Sequence, residues 1–230
     1  MKPPLYKKLY NYESITQINN NGPRMYQTPD DKYVHSVTTI LSATADKTGI
    51  ENWKKRVGKE VSDKEIKQAT DIGNLLHNNL ENFIKNIDNP KPKNFIQTLA
   101  LRMSDEIIKN CIINVNEFWG SEVPLYFPNL YAGTTDLVGL YNNKPAIMDF
   151  KNSKKIKKEE WIIDYYLQGC AYAQAHNYLF ETKINDVVIF MVDRNCNTKT
   201  FHINEKDFDY YSELWCQRLE QFLKISWQKS

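Results

Sequence analysis

The chain has 230 residues, of which 41% are hydrophobic and 25% are charged, and this composition is typical of soluble globular proteins with a hydrophobic core. The formal net charge is only +2, which excludes a protein that binds nucleic acid through overall charge, so any polyanion site must come from local clustering. The sequence has no run as long as a membrane span and no apolar N-terminal segment of the signal-peptide kind.

The cysteines indicate the redox setting. Four are scattered along the chain without C-x-x-C spacing, namely Cys111, Cys170, Cys196 and Cys216. Neither a zinc site nor an iron–sulfur cluster held by four cysteines is therefore predicted. We expect reduced thiols and, since no targeting sequence is seen, a cytoplasmic protein of bacterial or phage origin.

The N-terminal third begins without strong periodicity. Residues 1–35 are polar and broken by prolines, which predicts irregular structure or a short hairpin. Ser36 is a suitable cap for a short helix, and a second helix is predicted at residues 50–58. That helix carries Trp53 and Arg56, an indole and a cation that could contact a phosphate backbone. Alternatively, the indole packs into the core and the cations face solvent.

Two longer helices are predicted next. The helix at residues 63–87 contains His77 and, one turn earlier, Gly73. A glycine inside a helix costs about 1 kcal/mol relative to alanine, so we expect another element to approach closely there. Residues 93–118 show an apolar stripe at helical spacing, which we assign to the core.

The second half of the chain predicts strands and two more helices. Residues 122–127 are a predicted strand, and residues 134–141 and 146–151 form a hairpin about Asn142-Asn143, because asparagine tolerates positive φ. The remaining predicted elements are a helix at 161–180, strands at 187–193 and 200–203, and a closing helix at 207–227.

The hairpin carries the strongest chemical signal. Side chains two apart on a strand share a face, so Asp149 and Lys151 project together, and strand pairing can bring Asp136 near them. Two carboxylates and one ammonium suit a divalent metal and a phosphate. The alternative is a solvated edge pair of little energetic value. On the following helix, Gln168 and Tyr172 are four residues apart and share one face.

A basic run follows the hairpin and includes Lys154 and Lys155. Such runs are usually solvated loops. Beside a carboxylate site, this one could also hold a polyanion.

Taken in order, these motifs resemble the RecB-like branch of the PD-(D/E)XK nucleases. The resemblance is to the group that includes the mitochondrial genome maintenance exonuclease and its stand-alone phage and bacterial relatives. The matching motifs are SVTTIL at 36–41, NWKKRVG at 52–58, Gly73 with His77, Glu122, GTTD ending at Asp136, Asp149-Phe150-Lys151, and Gln168 with Tyr172. The chain departs at Asn152, where this family usually has threonine.

The resemblance implies an α/β fold with a restriction-endonuclease-like mixed central sheet flanked by helices. It implies one nuclease domain over residues 1–230, with a mainly helical N-terminal elaboration at 1–118 that forms an arch, and with the catalytic sheet and C-terminal helices at 119–230. The implied metal ligands for Mg²⁺ or Mn²⁺ are His77, Asp136 and Asp149. The implied catalytic groups are Asp136, Asp149, Lys151, Gln168 and Tyr172, with Glu122 as a supporting carboxylate.

The implied activity is a metal-dependent exonuclease that prefers single-stranded DNA, including single-stranded ends and flaps, and hydrolyses it with metal-activated water in replication, repair or recombination. Candidate DNA contacts are Trp53, Arg56, Lys154 and Lys155. We expect a monomer without a membrane partner or an iron–sulfur cluster. Two alternatives stay open, namely a structure-specific endonuclease of the same superfamily and a catalytically silent nucleic-acid-binding or recombination accessory protein.

Overall fold

The computed structural model describes residues 2–18 and 22–227 and contains one mixed sheet with helices on both faces. The nine strands are β1 Leu5–Tyr6, β2 Thr16–Ile18, β3 Met25–Gln27, β4 Tyr33–Ser36, β5 Val115–Phe127, β6 Tyr131–Tyr141, β7 Lys144–Ser153, β8 Asp186–Asp193 and β9 Thr198–Ile203. The six α-helices are α1 Val37–Thr44, α2 Thr48–Val57, α3 Lys59–Ile84, α4 Phe95–Asn110, α5 Ile163–Phe180 and α6 Glu205–Trp227. The predicted mixed α/β class is confirmed.

Strand β6 organises the sheet. Along one edge it pairs antiparallel with β5 over almost its whole length. On its other edge it pairs antiparallel with β7 through residues 137–141 and parallel with β4 through Tyr131 and Ala132. Residues 133–136 therefore lie at a fork, between the segment that pairs with β4 and the segment that pairs with β7.

The N-terminal strands extend this sheet. β2, β3 and β4 follow one another as antiparallel neighbours, and β1 pairs parallel with β5. The antiparallel pair β2 and β3 corresponds to the predicted hairpin, and residues 19–21 between them lie outside the described residues. The described part of the first 118 residues thus supplies four short strands and the beginning of β5 to the sheet, in addition to its helices.

Helix α1 begins where its sequence predicts. The Ser36 hydroxyl accepts a hydrogen bond from the Thr39 N–H at 2.9 Å, which satisfies a free donor of the first turn. Val37, Ile40 and Leu41 are buried. The capped helix follows β4 directly and so fixes that strand against the core.

The predicted helix at 93–118 is wrong in its last part. Asn94 caps α4, which ends at Asn110, and a 3₁₀ turn at Ile112–Asn114 leads directly into β5. Beyond that turn, Val115 and the aromatic residues that follow pair with β6. The apolar residues in this stretch fit both the helical period of 3.6 residues and the strand period of two residues. Pairing with the distant strand β6 decides in favour of a strand.

The predicted β6–β7 hairpin is confirmed. Asn142 has φ 48° and Asn143 has φ 63°, so both turn residues adopt the left-handed conformation that matches the twist of the strands. Tyr141 and Lys144 flank the turn as the last paired residues. This local turn sets the register of β6 against β7.

Two apolar layers enclose the sheet. One face packs against α1, α5 and α6, and the other packs against α3 and α4. In α5, Gly169 lies so close to β8 that a Cβ atom there would be 2.1 Å from Val187 Cγ1. Within the described residues, no helix combines the length and apolar character needed to cross a membrane.

Candidate active site

The fork in the sheet holds a buried carboxylate. Asp136 Oδ2 accepts a hydrogen bond from the Phe150 N–H of β7 at 2.6 Å. Its other oxygen, Oδ1, lies 3.1 Å from Nδ1 of His77 on α3. Asp136 is therefore fixed between the sheet and the helix that covers it.

His77 faces this carboxylate from α3. Burial alone would lower the pKa of the imidazole, but attraction to Asp136 outweighs it and raises the pKa to about 9. The charged form of the ring is therefore favoured by its pairing with Asp136, although Lys151 opposes it. A bound metal ion would compete with that proton for the ring nitrogen.

Glu122 completes a group of three potential metal ligands. It stands between register pairs that place it opposite Asp136, since Ser121 pairs with Leu137 and Val123 with Thr135. One ligand atom from each of His77, Glu122 and Asp136 lies within 4.8 Å of the other two. One imidazole nitrogen and two carboxylates at this spacing can hold a divalent ion.

The backbone of Glu122 is unusual. Its φ of 51° lies in the left-handed region although it is neither glycine nor in a turn, and such a conformation costs about 1 kcal/mol or more. Its carboxylate reaches the cavity, where the surrounding protein disfavours the charged form and Asp136 repels it. The pKa of Glu122 is consequently raised to about 7.

Asp149 and Lys151 lie beside this trio on β7. Lys151 Nζ is 2.5 Å from Asp149 Oδ2, which confirms that the two side chains project together. Burial, followed by the charge of Asp136, raises the pKa of Asp149 to about 6. Burial opposes the charge on Lys151, but both aspartates hold its pKa above the usual value.

Helix α5 supplies two polar groups to the same place. Gln168 Oε1 accepts a hydrogen bond from Lys151 Nζ at 3.3 Å, and Gln168 Nε2 donates to the Tyr172 hydroxyl at 3.4 Å. The predicted shared face of Gln168 and Tyr172 is confirmed. Tyr172 reaches β6 because Gly133 has no side chain, since a Cβ there would lie 2.6 Å from the hydroxyl.

The close approach expected at Gly73 is made by Asn152. A Cβ at Gly73 would lie 3.2 Å from Asn152 Oδ1, and Asn152 Nδ2 donates to the Ala69 carbonyl of α3 at 3.0 Å. This asparagine follows Lys151 on β7. It therefore ties the helix that carries His77 to the strand that carries Asp149 and Lys151.

Most of these residues line a cavity of about 850 Å³ with mixed polar and apolar walls, whereas Asp149 and Lys151 are not among the described residues that line it. It is lined on one side by the fork of β6 and on the other by α3, β3 and β4. The predicted residues among its lining are His77, Glu122, Asp136, Gln168 and Tyr172. An extended chain with polar groups fits such a space better than a small apolar ligand does.

Comparisons with known proteins bear on the fold. No family model matches the chain, and no curated protein matches it either. A solved structure described as a "putative exonuclease" from Eubacterium rectale is similar with a TM-score of 0.53 and 12% identity, covering 71% of this chain and 69% of that one. At this identity the likeness establishes a shared nuclease-like α/β fold.

Other residues of the cavity escaped the sequence analysis. Asn74 and Asn78 line it together with His77, and their spacing of four residues places them on one face of α3. Helical periodicity around His77 was the signal that could have found them. Arg24 also lines the cavity, but it comes from the irregular N-terminal region, where no local pattern points to it.

The residues suggested as DNA contacts lie elsewhere. Among the described residues that line the cavity, neither Trp53 nor Arg56 occurs. They belong to α2, which has no buried residue. Lys154 pairs with Glu65 of α3 at 3.1 Å, and Lys155 is exposed. These four residues, one tryptophan and three cations, stay candidates for a DNA contact surface outside the cavity.

Proposed function

We propose that the protein is a divalent-metal-dependent nuclease of the RecB-like PD-(D/E)XK type that digests single-stranded DNA from an end. The observation that carries the proposal is the convergence of His77, Glu122 and Asp136 beside the buried Asp149–Lys151 pair. The first three come from α3, β5 and β6 and line one polar cavity, and the β7 pair lies beside Asp136. An ordinary surface ion pair would need no such convergence.

The donor set fits Mg²⁺ or Mn²⁺. Carboxylate oxygens are the preferred ligands of both ions, and an imidazole favours tolerance of Mn²⁺. His77, Glu122 and Asp136 would hold the ion. Burial and, after it, repulsion by Asp136 raise the pKa of Glu122 and of Asp149, and a cation would relieve that repulsion. When bound, the ion supplies Lewis acidity toward water and a phosphoryl oxygen.

Asp149 and Lys151 have complementary roles in this scheme. The sequence resemblance assigns Asp149 to the metal, and its carboxylate also faces Lys151 Nζ. The aspartates keep Lys151 protonated, and a compact ammonium charge is suited to stabilise negative charge on a phosphate. The side chain of Lys151 is 19% exposed, which leaves part of it accessible to an anion.

Gln168 and Tyr172 hold this ammonium in position. The chain of hydrogen bonds from Lys151 through Gln168 to the Tyr172 hydroxyl limits the directions in which the ammonium can point. Gly133 leaves the space that this chain needs. The arrangement is rigid because α5 packs closely on the sheet.

The proposed test compares two buried aspartates. Asp136→Asn is expected to lower the divalent-dependent digestion of a labelled oligonucleotide by at least about 100-fold, while Asp186→Asn retains it. Asp186, which lies on β8, is a matched control because it is also buried and its Oδ1 lies 2.6 Å from His202 Nε2. Equal activity of both variants, or undiminished digestion with chelator, would overturn the proposal.

A circular single strand separates an exonuclease from an endonuclease. Strands labelled at the 5′ or the 3′ end are digested alongside a circular strand of the same sequence with Mg²⁺ or Mn²⁺. An enzyme that requires an end degrades the linear strands and spares the circle. Cleavage of the circle would identify an endonuclease of the same chemistry, and no cleavage of any strand would favour a binding protein.

A further inference from the structure

A large aromatic ring is exposed before the start of α5, the helix that carries Gln168 and Tyr172. Trp161 ends the short 3₁₀ turn Glu159–Trp161 that precedes α5, and the residue is 63% exposed. Exposed indoles are uncommon because burying this ring is strongly favourable. Lys158 Nζ lies 5.6 Å from the ring centroid. The ring is therefore paired with a cation on the protein surface.

A second aromatic–cation pair connects this ring with the site. Lys157 Nζ lies 4.8 Å from the centroid of the Tyr165 ring and donates to its hydroxyl at 2.7 Å. Lys151 Nζ lies 5.1 Å from the same centroid. Tyr165 is thus placed between the active-site lysine and the basic segment that precedes α5.

Contacts link this ring with the residues of the site on α5. Tyr165, Gln168 and Tyr172 are separated by three and four residues on that helix, which places them on approximately one face. Trp161 lies before α5, at the end of the 3₁₀ turn, and its ring is contacted by Lys158. Because Lys157 and Lys158 are neighbours in the chain, contacts lead from Lys151 through Tyr165 and Lys157 to Lys158 and Trp161.

A cation stands beside each of the two rings, Trp161 and Tyr165. Lys158 places its ammonium beside the first ring and Lys157 beside the second. Glu160 lies 3.7 Å from Lys158, and Glu159 accepts a hydrogen bond from Tyr166 on the buried side. A ring with a neighbouring cation is the combination with which proteins bind a base and its phosphate in single strands.

We propose that Trp161 and Lys158 form a stacking platform for an unpaired nucleobase of the strand that enters the active site, with Tyr165 and Lys157 as the step between platform and cavity. This inference rests on the proposed nuclease function and names the form of its substrate. A paired base cannot present its face to the ring, so the platform selects single-stranded nucleic acid. Neither residue of the platform needs to touch the reacting phosphate.

The test measures binding of a labelled oligothymidylate by fluorescence anisotropy, with chelator present to prevent cutting. Trp161→Ala is expected to weaken binding by about 5- to 150-fold, the range for one base–aromatic stack, and Trp161→Phe to recover most of it. Binding of an abasic strand of equal length is expected to be the same for wild type and Trp161→Ala. Lys158→Gln should reduce the salt dependence of binding by about one phosphate contact.

Tyr33→Ala is the matched control because Tyr33 is 61% exposed, lies on β4 and does not line the cavity among the described residues. The platform is overturned if Trp161→Ala binds oligothymidylate as tightly as Tyr33→Ala does, or if it weakens abasic and base-carrying strands equally. Either result leaves the nuclease proposal standing as long as the wild type digests DNA. If the wild-type protein itself digests no DNA, the nuclease proposal is rejected instead.

Discussion

At the scale of single residues, Glu122 combines strain with a place in the site. Its left-handed φ of 51° is unfavourable for any residue with a Cβ, and its pKa of about 7 reflects burial and the charge of Asp136. Both features destabilise the folded protein. A functional need for the carboxylate at the position that this backbone conformation gives it would account for both features.

Glu122→Gly is therefore expected to stabilise the fold and impair the site. Removal of the strain and the repulsion should raise the free energy of unfolding by about 1 kcal/mol, because glycine accepts positive φ. Metal-dependent digestion should fall by about tenfold or more. Urea unfolding and an oligonucleotide assay measure the two effects. Asn129→Gly, at φ 61° and outside the cavity lining, should leave activity unchanged; a destabilised Glu122→Gly protein would contradict the strain argument.

His176 gives a prediction for pH. The ring is buried between the Tyr12 hydroxyl, 3.1 Å from Nε2, and the Thr182 hydroxyl, 2.8 Å from Nδ1. Burial lowers its pKa from 6.5 to about 4. The unfolded chain therefore binds this proton more readily, so the stabilisation is complete above pH 6.5 and is lost as the pH falls toward 4.

The loss is expected to reach about 3 kcal/mol at pH 4. His176→Gln cannot take up the proton, and the difference in unfolding free energy between wild type and variant should shrink by that amount from pH 7 to pH 4. Urea titrations at several pH values measure it. Parallel pH profiles for the two proteins would show that the ring is not held neutral in the folded state.

At the scale of elements, the packing of α5 on β8 depends on one glycine. A Cβ at position 169 would lie 2.1 Å from Val187 Cγ1, closer than packed carbon atoms come. Gly169→Ala should therefore lower the free energy of unfolding by about 1–3 kcal/mol despite the better helix propensity of alanine. Gly49→Ala on α2, where a Cβ meets nothing within 4 Å, should be neutral or stabilising. Equal thermal midpoints for the two variants would contradict this account.

The elements also show how far the sequence could predict the fold. The β6–β7 hairpin was predictable because its turn and its strands are neighbours in the chain. The proximity of Asp149 and Lys151 was predictable as well, because the two residues lie two apart on one strand. The end of α4 was not predictable, because Val115 and the residues that follow it form a strand only through pairing with β6. The position of Glu122 opposite Asp136 is likewise set by strand register, which no local pattern encodes.

At the scale of the whole molecule, the site exists only in the completed fold. β4 and β7 share one edge of β6, and α3 closes the fork from above. An ion held by His77, Glu122 and Asp136 would connect α3 with two strands, β5 and β6. Ligand binding that is restricted to the folded state stabilises it by RT ln(1 + [L]/Kd).

Mn²⁺ should consequently raise the thermal midpoint of the wild-type protein. At about 100 times the Kd the added stability is about 2.7 kcal/mol, and calorimetric scans with and without the ion measure it. Asp136→Asn should lose this shift, whereas Asp186→Asn should keep it. An equal shift in both variants would place the ion elsewhere on the protein.

The fork in the sheet also has a consequence for synthesis. His77 leaves the ribosome early, but Lys151, Gln168 and Tyr172 are made much later, and the fork closes only when β7 joins β6. A nascent chain or an early proteolytic fragment therefore lacks the assembled cavity. The proposed nuclease would gain its site only after α5 has been translated and has packed on the sheet.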